Sequence, residues 1–122
     1  MAIFNKDMID LATKNKFFQK EVYYDDNCQI VLMSLEPGED IGEETHEADQ
    51  TTFIVAGEGQ AVVDGHRTKA GPNHLIVIPK GAKHNIINKG SEPLKLFTVY
   101  APPAEEPGVS HKTKEEAEAA EE

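Results

Sequence analysis

Residues 38–50 read GEDIGEETHEADQ and set one imidazole, His46, among carboxylates. Imidazole and carboxylate both donate lone pairs, so such a stretch can bind a cation. It can equally form a solvated acidic loop or a surface that repels anions. Spacing narrows the choice. On an extended chain residues two apart leave the same face, so Glu44 and His46 project together. Gln50 follows, with Thr52 and Ile54 at its parity, while Asp49 takes the opposite face. A second imidazole, His84, opens HNIIN directly after the tight turn PKGAK. His66, next to an Asp-Gly pair, is expected to be exposed, and His111 near the end to be solvated. His74 is a candidate for a pocket position. Tyr100, Tyr23, Tyr24 and His74 are the other side chains that could serve as general acid or base, and none is singled out as catalytic. The acids at 36, 39, 40, 43, 47 and 49 read as a solvated rim.

The elements that must position these groups are short. NKDMIDLA offers Asn5 as an N-cap and Met8, Ile9 and Ala12 as an apolar stripe, which predicts a short helix. From Phe17 onward the pattern changes to runs rich in Val, Ile, Phe, Tyr and Thr, bounded by Gly, Pro, Asn or Asp. These predict strands at about 17–24, 29–35, 43–47, 51–56, 60–64, 66–70, 75–78, 84–88 and 94–100. The Asp64-Gly65 pair is the strongest hairpin signal. Many short strands without intervening helices point to an all-β sandwich or closed barrel. Beyond Tyr100 the prolines of APPAEEP end the strand. Thr113 with Glu116 has the spacing of a capping box and predicts a helix over about 114–120, in a tail expected to lie outside the core and to be mobile.

With those elements in place, the chain resembles a small single-domain cupin of the mannose-6-phosphate isomerase-like kind. Gly38, Glu44, His46, Gln50 and Gly57 fall at the spacing of that family's first motif. Pro79, Gly81, His84 and Asn88 fall at that of the second, with Asn73 where the second motif opens on glycine. The resemblance covers residues 28–101. It implies an all-β double-stranded β-helix, or jelly-roll barrel, here with a short N-terminal helix and a short C-terminal helical tail. It also implies a divalent metal held at positions 44, 46, 50 and 84. Glu44 stands where the family has histidine, and Gln50 where it has glutamate. The set therefore keeps its charge with the carboxylate moved, and all four positions still offer a lone pair, which favours a retained site. His46, His84 and Glu44 resemble the face of two histidines and one carboxylate that leaves coordination positions open, suited to Fe(II), Mn, Zn, Ni or Co. The implied function is a metal-dependent enzyme acting on a small polar organic molecule, by sugar or keto-acid isomerisation or by oxygenation. A non-catalytic module that binds a metal or small ligand is the alternative, and a structural dimer with an empty pocket is a third reading.

Composition sets the outer limits. At 122 residues the chain is long enough for one core, read here as a barrel over 1–104 followed by an acidic tail over 105–122. The net charge is −10, and the tail alone has seven acids against two lysines. No basic stripe is present to release counterions from a phosphate backbone, so neither nucleic acid nor an anionic membrane surface is an expected partner. No export signal or long apolar run is evident, so a cytoplasmic location is expected. Cys28 is alone and reads as a buried, inert thiol. The outward set Phe53, Val55 and Val99 suggests a homodimer.

Overall fold

The computed structural model describes residues 3–121. Helix α1 (Met8–Lys14) is followed by β1 (Gln19–Tyr24), β2 (Gln29–Leu35), β3 (Asp49–Ala56), β4 (Gly59–Val63), β5 (His66–Ala70), β6 (Leu75–Ile78), β7 (His84–Asn88), β8 (Leu94–Ala101), β9 (Ser110–His111) and α2 (Lys114–Ala120). Two antiparallel sheets face each other, one ordered β6-β3-β8-β2-β1-β9 and the other β5-β4-β7. The jelly-roll architecture is as expected, and no described helix is long and apolar enough to cross a membrane.

The strands form because apolar residues alternate. In β7 and β8 every second residue is buried, and the inward sets Ile86 with Leu94 and Leu96 meet Val31, Leu35, Ile54 and Ala61 in one core. Strand β2 is buried on both faces because α1 packs on the outside of the larger sheet, over β2, β3 and β8. The α1 N-cap is Asp7, whose carboxylate accepts from the Asp10 N–H at 3.0 Å, and not Asn5. Asp64 and Gly65, at φ 48° and 82°, make the β4–β5 hairpin. Gly57 has φ 98°, and a Cβ there would lie 2.8 Å from the Pro93 carbonyl, so the close approach of β3 to the β8 entry requires glycine. Outside the larger sheet Phe53 pairs with Leu75 on one side and Phe97 on the other, the two phenyl rings stacked at 5.4 Å. Leu75 and Val77 on edge strand β6 are 60% and 63% exposed.

Several expectations are corrected. No strand spans 43–47; across 40–47 the chain makes isolated bridges, Asp40 with Ile87 and Glu44 with His84. The acidic ends of this stretch favour turns over a continuous ladder. The tail, in turn, does not stay outside the core. Strand β9 pairs with β1, and Val109 and Ala117 are buried members of the core cluster. Helix α2 forms over the anticipated residues, with the Thr113 hydroxyl accepting from the Glu116 N–H at 3.1 Å. Lys114 forms an ion pair with Asp40, so Asp40 is a half-buried anchor and not part of a solvated rim. His111 is likewise half-buried and lies 2.6 Å from Gln19 Oε1. Cys28 is only partly buried, and burial raises its thiol pKa.

Candidate metal centre

The segment that lacks a ladder keeps the alternation of one. Glu44, His46, Ala48 and Gln50 turn inward to increasing burial, while Glu43, Thr45, Glu47 and Asp49 are exposed. The turn before β7 is stitched to it. Glu44 and His84 exchange backbone hydrogen bonds at 2.9 Å in both directions, the Gly81 N–H donates to the His46 carbonyl at 3.0 Å, and the Lys80 N–H donates to Asp49 Oδ1 at 3.0 Å. Gly81, at φ 83°, allows the tight turn that returns His84 toward Glu44. The second-motif residue Asn88 closes the far end of β7, donating to the Leu35 and Glu92 carbonyls and accepting from the Gly90 N–H, all at 2.9 Å.

This arrangement brings together side chains from distant parts of the sequence. One donor atom each of Glu44, His46 and His84 lies within 4.8 Å of the others. His46 Nε2 is 3.6 Å from Glu44 Oε1, and the two imidazole centroids are 5.5 Å apart. Gln50 sits opposite Tyr100 in the β3–β8 register, and the Tyr100 ring packs on His46 with centroids 5.3 Å apart. His84 and Gln50 are each 2% exposed. His74 does not join them; it is exposed, with Nδ1 3.1 Å from the Lys69 carbonyl. Tyr23 and Tyr24 lie on β1, where the Tyr23 hydroxyl donates to Asp25 at 2.6 Å. His66 is exposed, as expected.

The hydrogen bonding indicates what the group can do. Among the described residues, the buried side-chain atoms without a hydrogen-bond partner are His46 Nε2, Gln50 Oε1, His84 Nε2 and Asn85 Oδ1. Leaving such atoms unpaired costs about 1–3 kcal/mol each, and three of the four belong to positions 46, 50 and 84. His84 Nδ1 lies 3.2 Å from the Ala82 carbonyl. A proton on that nitrogen donates to the carbonyl and leaves the Nε2 lone pair facing the interior, the usual support for a ligating histidine. Burial lowers the His84 pKa, keeping the ring neutral. The Glu44 carboxylate raises that of His46 against the effect of burial, with a smaller contribution from Glu105. Glu44, His46 and His84 are thus positioned to bind a metal ion, and the residues present fit one.

One residue of this interior was not foreseen. Glu105 follows β8 in a loop pinned by the buried Gln29 amide. Gln29 Oε1 accepts from the Ala104 and Glu105 N–H groups at 3.2 and 3.0 Å, and Nε2 donates to the Glu105 and Glu106 carbonyls and to Glu21 Oε1. The pinned loop places Glu105 in the lining of a small cavity that Tyr100 and Glu44 also line. Burial and then the Glu44 charge raise the Glu105 pKa, while burial, followed by Glu105 and Glu44, drives the Tyr100 phenol pKa far up. Only Gln29, a polar residue at the start of the largely apolar strand β2, hints in the sequence that something is clamped there.

Comparison with known proteins supports the architecture. The cupin-domain family profile matches residues 31–100. The crystal structure of BH2720 from Bacillus halodurans superposes with a TM-score of 0.92 at 34% identity, covering 95% of this chain and 93% of that one. Uncharacterized protein YrkC of Bacillus subtilis is 40% identical over 126 residues, covering 93% of this chain and 65% of its own length. A mannose-1-phosphate guanylyltransferase of Escherichia coli is 33% identical over 75 residues, covering 61% of this chain but 16% of that protein. The chain thus spans a little under two thirds of YrkC and a small part of the transferase.

Proposed function

The chain belongs to the cupin family, and on that footing we propose that it is a metal-dependent enzyme in which Glu44, His46, His84 and Gln50 hold a divalent transition metal. The observation that carries this reading is the set of buried, unpartnered acceptor atoms on His46, Gln50 and His84 beside the Glu44 carboxylate. A bound metal would act as a Lewis acid, or in the case of iron or manganese as a redox centre, with coordination positions left open to a substrate oxygen.

The chain's own residues do the rest. The Ala82 carbonyl orients His84 and the Glu44–His84 backbone pair fixes the spacing of two donors. The Tyr100 ring supports His46, and its phenol stays protonated at ordinary pH. These features support chemistry on a small polar molecule bound through oxygen, by oxygenation or isomerisation.

The test is elemental analysis of protein purified without chelator, followed by titration of the stripped protein with Mn(II), Co(II) and Zn(II). One metal equivalent per chain is expected, falling to none in His46→Ala and in His84→Ala. Unchanged metal content in both variants would sink the assignment.

A further inference from the structure

The inward wall of β3 carries Gln50, Thr52 and Ile54, and that of β8 carries Leu96, Thr98 and Tyr100. Two hydroxyls therefore meet inside the barrel. Thr52 and Thr98 are 0% and 1% exposed and stand directly opposite in register, with the apolar pair Ile54 and Leu96 next along the two strands. Valine has nearly the same shape as threonine and no hydroxyl to desolvate, so a threonine pair at this depth needs polar partners.

The hydroxyls satisfy each other at 2.8 Å, and a third group joins them: Gln50 Nε2 donates to Thr52 Oγ1 at 3.4 Å. A hydroxyl has one proton. When Thr52 gives it to Thr98, the Thr52 oxygen can only accept, and the amide end that meets it must be the NH2. The other end, Gln50 Oε1, is left buried with no hydrogen-bond partner. The two ends are opposite in their effect on a cation. With the amide reversed, N–H donors would replace the lone pairs of Oε1, and residue 50 would offer an ion nothing to bind. A carboxylate has no wrong end, so an amide ligand needs an orienting partner that a carboxylate does not.

We propose that Thr52, held in turn by Thr98, is a positioning residue of the metal centre: it takes the NH2 end of the Gln50 amide and so commits the carbonyl oxygen to the ion. This rests on the metal reading above and deepens it. The polar pair in the core then has the same standing toward Gln50 as the Ala82 carbonyl has toward His84.

The test is the Co(II) affinity of the full-length protein, read by calorimetry. Thr52→Val removes the acceptor. Thr52→Val with Thr98→Val removes both hydroxyls, so that neither is left buried and unpaired and the fold is kept. Both variants should bind Co(II) about tenfold more weakly than the parent, the lower end of the range for losing the partner of a metal ligand, as suits a contact of 3.4 Å. Thr52→Ser, which keeps the hydroxyl, should bind as tightly as the parent. In a Gln50→Leu background, which keeps the other three donors but has no amide to orient, Thr52→Val should weaken binding no further. An equal loss in that background overturns the inference, because it would mark a general effect of packing. A parent that binds Co(II) no more tightly than its two valine variants removes this inference alone, whereas a parent that takes up no Co(II) removes the metal reading and this inference together.

Discussion

Replacing His84 by leucine separates a ligand from a structural histidine. In the metal-free protein the substitution removes a buried Nε2 that has no partner, relieving a cost of about 1–3 kcal/mol. It also deletes the contact with the Ala82 carbonyl, worth about 1 kcal/mol, and replaces a ring of the core by an apolar side chain of similar bulk. These effects oppose one another, so metal-free stability should change by no more than about 2 kcal/mol in either direction. With metal the two proteins should diverge. At a free metal concentration a hundredfold above Kd, the parent gains about 2.7 kcal/mol, which for a domain of this size raises Tm by roughly 10 °C. The variant should gain nothing. Thermal melts by circular dichroism, with and without Co(II), give all four values. A variant that is several kcal/mol less stable without metal, yet keeps the metal-induced rise, would show that the His84 acceptor is structural and refute the reasoning.

Gln50→Glu places a second anionic oxygen at the interior position, so calorimetry should show tighter Co(II) binding and a lower metal-free Tm; unaltered affinity would exclude residue 50 as a ligand. The His46 pKa is raised by Glu44, so the stabilisation from this pair is complete below the ordinary imidazole value and fades as pH rises through the raised one. Glu44→Gln should therefore cost the metal-free protein more stability at about pH 5.5 than at about pH 8.5, by roughly 1 kcal/mol in urea titrations; an equal or opposite difference would contradict the assigned contact. The exposed Leu75 and Val77 extend the Phe53–Phe97 row into an apolar outer face suited to a second copy. Light scattering should report a dimer that Leu75→Arg with Val77→Arg converts to a monomer, and a monomeric parent would refute it.

Much of this was legible because the barrel strands obey local rules. QIVLMSL, LIVI and HNIIN become strands over the anticipated residues, and the inward parity of Glu44, His46 and Gln50 holds even though the ladder at 43–47 does not form. Side-chain parity survives because it needs only an extended backbone, whereas a ladder needs a partner at every residue. Glu105 was illegible for a different reason. It lies in a proline- and acid-rich stretch whose composition reads as solvated chain, and its inward course depends on an amide of β2 that is remote in sequence. The burial of Val109 and Ala117 depends in the same way on β9 and α2 meeting the barrel, which no local pattern announces.

The candidate donors are distributed across the architecture in a way that reaches beyond chemistry at one atom. His84 belongs to the three-stranded sheet, Gln50 to the six-stranded one, and Glu44 and His46 to the crossing segment that touches β7 through isolated bridges. An ion held by all three parts would act as a rivet, tying one wall of the barrel to the other where backbone pairing is sparsest. Amide exchange in 40–47 and β7 would then slow together on metal addition, and the mechanical unity of the two walls would itself become a reporter of occupancy.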